Sequence, residues 1–154
     1  MALREQLMSA VKEAMKAREQ KRLGTLRLIQ SAIKDKDIAA RTADSREGIP
    51  DDEILALFGK LIKSREDSVT LYDQGGRPEL AEAERTEIAI IREFMPRQLD
   101  ETESKAAIAA AIAETGAASL KDMGKVMAVL KERYSGSLDF GKAGGIIKAQ
   151  LSGK

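Results

Sequence analysis

The chain has 154 residues, with 26 Lys and Arg against 25 Asp and Glu, a formal charge of +1. So close a balance excludes a protein that coats polyanions through overall charge alone. The absence of both Cys and His removes disulfides, thiol nucleophiles, the usual zinc ligands and every triad built on an imidazole base, which leaves Asp, Glu, Lys, Ser and Tyr for any chemistry. The length suits one domain or two small ones, able to bury roughly 70% of the unfolded surface without metals or cross-links. No apolar run reaches the roughly 18 to 20 residues that span a bilayer, and no apolar block opens the chain. Glu5, Glu13 and Glu19 speak against an acid-poor transit peptide. The expectation is a soluble, cytoplasmic protein without membrane contact.

Only four Val and 3% aromatic residues, beside abundant Ala, Leu, Lys and Glu, point to an all-α fold. Leu3, Leu7, Val11 and Met15 recur every four residues, with Ala10 and Ala14 widening the stripe, and predict a first helix to about residue 20. Leu26, Ile29, Ile33 and Ala40 continue in a second, ended by the turn-forming stretch from Arg41 to Pro50. Asp51 and Asp52 favour the start of a third, with Ile54, Leu57, Leu61, Ser68 and Tyr72 on one face and Gly75-Gly76 as its stop. Pro78 opens a fourth, with Leu80, Ile88, Ile91 and Met95 on its apolar side, and Pro96 closes it. Pro96 is the expected boundary between an N-terminal four-helix domain, residues 1–96, and a C-terminal three-helix domain, residues 97–154.

In the second part, Asp100 with Glu103 reads as a capping box ahead of Ile108 and Ile112, with Gly116 as terminator. Ser119 with Asp122 repeats the device before Met123, Val126, Met127 and Leu130, the two methionines being core. Asp139 caps a last helix carrying Ala143, Ile147 and Leu151, where Gly144 and Gly145 each cost about 1 kcal/mol relative to Ala. Residues 1–96 hold 17 basic and 18 acidic side chains, residues 97–154 hold 9 and 7, and from residue 115 onward the count is 7 against 3.

Several patterns look like chemistry. Gly136 to Lys142 matches part of a phosphate-binding loop, but Ala143 stands where the metal-holding hydroxyl belongs and a helix precedes it. Asp139-Phe140-Gly141 spells a kinase triplet without its partner motifs. Glu84 and Glu87, three apart, share one side of the fourth helix, as a divalent cation or an acid/base pair would need. Arg85, Arg92 and the bases of the third helix offer the simpler reading, a salt-bridged face. A Ser-Lys nucleophile at Ser64, Ser104 or Ser119 is formally open. The basic set Lys121, Lys125, Lys131, Arg133, Lys142 and Lys148 falls on two short helices and suits phosphate contacts, with Tyr134 and Phe140 as the aromatic residues nearby.

The segment Lys121-Asp122-Met123-Gly124-Lys125-Val126-Met127, followed by Leu130, Gly136 and Asp139, resembles the tail domain of the B subunit of tRNA-dependent amidotransferases. Over the whole chain the sequence is similar to the stand-alone YqeY-like proteins of the GatB/YqeY superfamily, through Leu26-Arg27, Arg65-Glu66-Asp67-Ser68, Tyr72, Gly76-Arg77, Glu84, Glu87, Pro96 and Gln98-Leu99. The resemblance implies a helical N-terminal domain and a tail domain of the kind that contacts the tRNA body. Its binding residues carry over to Asp122, Gly124 and Lys125, to which Lys121 and Lys131 are added for their nearness along the chain. Phe140, where a small residue is usual, and Gly144-Gly145 depart from the pattern. Neither the amidase nor the ATP-using unit of the amidotransferase is present, so a label such as carbon–nitrogen ligase with glutamine as amido-nitrogen donor would come from one shared module.

Three readings follow. The first is a non-catalytic protein associated with tRNA or other structured RNA, its N-terminal helices holding a protein partner or a second RNA surface. The second is an enzyme or accessory of carbon–nitrogen ligation that relies on Glu84 and Glu87, and the third is a helical adaptor for a partner protein. No metal or other cofactor is expected.

Overall fold

The computed structural model describes residues 2–42 and 47–152. Among these the chain is all-α, with α1 (Leu3–Ala17), α2 (Gln20–Ala39), α3 (Asp51–Gln74), α4 (Pro78–Arg92), α5 (Glu101–Thr115), α6 (Met123–Tyr134) and α7 (Phe140–Ser152), and a 3-10 turn at Leu120–Asp122. The chain divides into two compact units, Met1–Met95 and Pro96–Lys154, each with its own apolar core.

In the first unit α1 buries Leu3, Leu7, Ala10 and Ala14. Ala10 and Ala14 fall on the expected stripe and Val11 packs partly buried against the core, but the extension of the stripe to Met15 is corrected by helix geometry. A spacing of four residues drifts about 40° per step, so by Met15 it has turned roughly 120° from Leu3. Met15 accordingly stands 53% exposed. α1 also ends sooner than expected: Arg18 takes the left-handed conformation, at φ 58°, and α2 begins at Gln20, six residues before Leu26. Leu26, Ile29 and Ile33 are buried, whereas Ala40 lies outside the core as the helix cap. The turn expected from Arg41 to Pro50 falls partly outside the described residues.

A fork fixes the far end of this hairpin. The Arg4 guanidinium donates to both carboxylate oxygens of Asp37 at 2.8 Å and to the Ile49 carbonyl at 2.9 Å. Asp37 in turn accepts from the Ile49 N–H at 2.8 Å, and Ile49 is buried in the core. A Cβ added to Gly48 would lie 2.8 Å from the guanidinium carbon of Arg4 and 2.9 Å from the Asp37 carboxylate, so a glycine lets the chain pass there.

α3 begins after Pro50 with Asp51, Asp52 and Glu53 in its first turn, where the helix dipole favours negative charge. It buries Ile54, Leu57, Phe58 and Ile62 and turns through Gly75 and Gly76, the latter at φ 70°. α4 starts with Pro78 at its first position and buries Ala81, Ile88, Ile90 and Ile91. Leu80, expected inside, is 40% exposed, because Ala81 takes the inward place.

In the second unit the Asp100–Glu103 box is complete: the Glu103 N–H donates to Asp100 at 2.7 Å and the Asp100 N–H donates to Glu103 at 3.1 Å. Gly116, at φ 68°, ends α5. The Leu99 N–H donates to the Ser137 carbonyl at 2.8 Å, and the Gln98 amide donates to the carbonyls of Pro96 and Gly136. These bonds fasten the entry segment to the α6–α7 turn. Asp139 accepts from the Lys142 N–H at 3.2 Å, which caps α7. Phe140 packs partly buried against this core, giving the departure from the family pattern a packing role.

Two predictions follow from these contacts. Replacing Asp37 with Ala strands the Arg4 fork and the Ile49 N–H, and urea unfolding should record a loss of about 1 to 3 kcal/mol. The Arg97 guanidinium, with the Asp100 N–H, holds the Glu103 carboxyl at about 2 against an ordinary 4.5. A depressed carboxyl stabilises the fold above its unfolded value, and that contribution is lost as pH falls through the folded one. Circular dichroism of the full chain should therefore show Glu103→Gln approaching the wild type in stability as pH falls from about 4.5 toward 2.

Candidate nucleic-acid interface

The six basic residues singled out by sequence, Lys121, Lys125, Lys131, Arg133, Lys142 and Lys148, are all exposed. They do not form one face. Six residues separate Lys125 from Lys131, and Lys142 from Lys148, and that spacing rotates the second of each pair by about 240° around its helix. Arg133 is committed to Glu114 of α5 at 2.5 Å, and this contact lowers the Glu114 carboxyl below the usual range. Lys125 stands 3.9 Å from Asp122. Lys121, Lys131, Lys142 and Lys148 have no ion pair among the described residues.

Asp122 has an internal task. Its carboxylate accepts from the N–H groups of Ala118 at 3.0 Å and Ser119 at 3.4 Å, and these bonds hold it below the usual carboxylate range, with Lys125 adding to the effect. It therefore shapes the entry to α6. Gly124 is different: it lies exposed in the first turn of α6, and a Cβ there would meet nothing within 4 Å. No other helix of the described chain needs its small size. Lys131, seven residues on, returns to nearly the same side of the helix two turns away, with exposed Ala128 between them. Met123 and Met127 are partly buried against the core, and Met123 reaches within 3.6 Å of a Cβ built on Gly144, so the start of α6 rests on α7.

The phosphate-loop look-alike is a helix entry. Asp139 already accepts the Lys142 N–H that a phosphate would seek, and the Gly136 carbonyl is taken by Gln98. Glu84 and Glu87 do come together, on Arg65. Its Nε lies 2.9 Å from Glu87 and 4.0 Å from Glu84, and its NH1 donates to the Leu61 carbonyl at 3.2 Å. Arg92 meets Glu66 at 3.3 Å and Arg85 meets Asp73 at 2.6 Å, so the pairing runs along the α3–α4 seam. The neutralising residue is Arg65, one of the third-helix bases expected from sequence, while Arg85 and Arg92 pair elsewhere. Among the described residues no group of three or more acidic side chains is placed to hold a metal ion. Ser104 is buried, and Ser119 is the cap residue of the 3-10 turn. No helix among the described residues is long and apolar enough to cross a membrane.

A family profile described as "Yqey-like protein" matches residues 4–151. The chain belongs to the YqeY-like family. It is also similar to proteins named "Altered inheritance of mitochondria protein 41, mitochondrial". The one from Lachancea thermotolerans is 36% identical over 85 residues, 55% of this chain and 43% of the relative. That from Kluyveromyces lactis is 33% identical over 84 residues, 54% and 43% of the two chains. This YqeY-like chain thus aligns with less than half the length of these relatives. Their names overturn the cytoplasmic location expected from sequence, since the matched proteins are mitochondrial. Acidic residues near the amino terminus were a poor guide, because a compartment is set by a targeting segment and not by the folded helices.

Proposed function

We propose that the carboxyl-terminal unit is a docking module for the sugar-phosphate backbone of structured RNA, without turnover of its own. The observation that carries this reading is the bare, exposed surface at Gly124, flanked by Lys121 and Lys125 and followed by Lys131 on the same side of α6. A glycine without internal neighbours lets a ligand backbone approach, and lysines beside it supply phosphate contacts. Tyr134 and Phe140 are partly buried against the core, which favours backbone positioning over base stacking. The resemblance to the amidotransferase tail makes tRNA the RNA class of first choice. Glu84 and Glu87, tied up by Arg65, give the carbon–nitrogen ligase reading no free carboxylate pair. A protein partner for the N-terminal helices is a second reading, favoured by the exposed apolar side chains of α1 and α2.

The test is a titration of the full chain with total tRNA and with an unrelated folded RNA across a salt series. Binding should weaken steeply with salt, and the combined K121A, K125A and K131A changes should reduce the log–log slope by roughly one unit for each phosphate no longer neutralised. Gly124→Ala should raise thermal stability, by up to about 1 kcal/mol, while lowering RNA affinity. Salt-independent binding, or slopes unchanged by the lysine substitutions, would refute the assignment.

A further inference from the structure

The near-zero net charge conceals a segregation inside the first unit. Residues 1–42 carry ten basic against five acidic side chains, a net +5, whereas residues 47–95 carry six against twelve, a net −6. In α3 and α4 many charges are neutralised across the helix seam. In residues 1–42 only Arg4 and Arg22 of the ten cations have ion pairs among the described residues, and the other eight are exposed.

The same hairpin leaves apolar side chains in solvent. Met8, Met15 and Ile38 are 54%, 53% and 48% exposed. A groove between α1 and α2 is lined by Leu7, Met8, Gln30, Ile33 and Lys34, and Arg4 and Asp37 also line it. Met15 follows Met8 by seven residues, which places it two turns along the same side of α1, about 10.5 Å away. Arg27 precedes Lys34 by seven residues and Ile38 follows it by four, so these three share one side of α2.

Residues 1–42 contain no aromatic side chain, so this face offers nothing for a base to stack on. We propose that the α1–α2 groove receives an acidic amphipathic helix of a partner protein. Met8, beside Leu7 and Ile33 in the lining of the groove, adapts to apolar side chains of varied shape. Met15 extends the apolar side of α1 beyond the groove, at a spacing equal to positions i and i+7 of a docked helix. Lys34 in the lining and Arg27 on the same side of α2, neither in an ion pair among the described residues, complement the carboxylates of that helix. The proposal rests on the second reading, a protein partner for the N-terminal helices, and its surface lies in a different unit from the RNA-docking one, so either assignment stands without the other.

The experiment uses the full chain, labelled with 13C at the methionine methyls. The probe is a synthetic helical peptide of about 18 residues, five turns, with Leu along one face and Glu on the other. Controls are the same composition with Leu spread around the helix, a version with Lys for Glu, phosphatidylcholine–phosphatidylglycerol vesicles, and tRNA. Saturable binding of the acidic amphipathic peptide should shift the Met8 and Met15 signals and leave Met123 and Met127 in place. Changing Arg27 and Lys34 together to Glu, or Met8 and Met15 together to Ala, should weaken it roughly tenfold with unchanged circular dichroism. The proposal is overturned if the peptide fails to saturate, if either control peptide binds as well, if the double variants bind like the wild type, or if only vesicles or tRNA move Met8 and Met15.

Discussion

The Arg4–Asp37 fork closes the first unit at the place where its chain leaves the helices. Each group alone would be poorly served: a half-buried guanidinium needs several acceptors, and a carboxylate shielded from water needs donors. Asp37 takes two N–H donors from Arg4 and one from the Ile49 backbone, while Arg4 reaches the Ile49 carbonyl. Ile49 thereby enters the core one residue before Pro50, the cap position of α3. The fork thus converts the pairing of α1 with α2 into a fixed starting point for α3, and the narrow passage at Gly48 follows from the space the guanidinium occupies.

The two hairpins of that unit use charge in opposite ways. Between α3 and α4, arginines face carboxylates across the seam, and Arg65, the least exposed of them, adds a carbonyl from its own helix. Exposed pairs of this kind add little stability each, but they neutralise the surface locally. In the α1–α2 hairpin only Arg4 and Arg22 have ion pairs among the described residues, so its other cations face water and its field reaches outward, over roughly 8 Å at physiological salt. A chain with a net charge of +1 therefore carries a strongly basic surface that its total charge does not report.

What sequence revealed depended on how far apart the interacting residues stood. Local devices were legible: the box at Asp100 and Glu103, the stops at Gly76 and Gly116, Pro78 at the start of α4, and the cap at Asp139 all act within a few residues. The stripe through Met15 failed because four-residue spacing accumulates angle along a helix. The α1–α2 turn was missed because Arg18 adopts a left-handed conformation that its type rarely signals. The fork joins residues 33 apart, and Arg65 reaches Glu87 across 22, separations at which no spacing rule operates. The basic set looked like a patch because its members are close in sequence, but closeness along a helix is not closeness around it.

The motif Lys-Asp-Met-Gly-Lys at the entry to α6 separates into residues that shape and residues left over. Asp122 spends its carboxylate on two backbone N–H groups, and Met123 rests on α7. Gly124 has no such internal duty, and glycine costs about 1 kcal/mol in a helix relative to alanine. Lys121 and Lys125 likewise contribute nothing to the core. A phosphate arriving here would meet the negative charge of Asp122 among the donors of the helix entry, so the lysine side chains and the bare flank at Gly124 would have to carry the attraction. The fold accounts for Asp122 and Met123, while Gly124 and its flanking lysines are what the proposed contact with RNA would draw on.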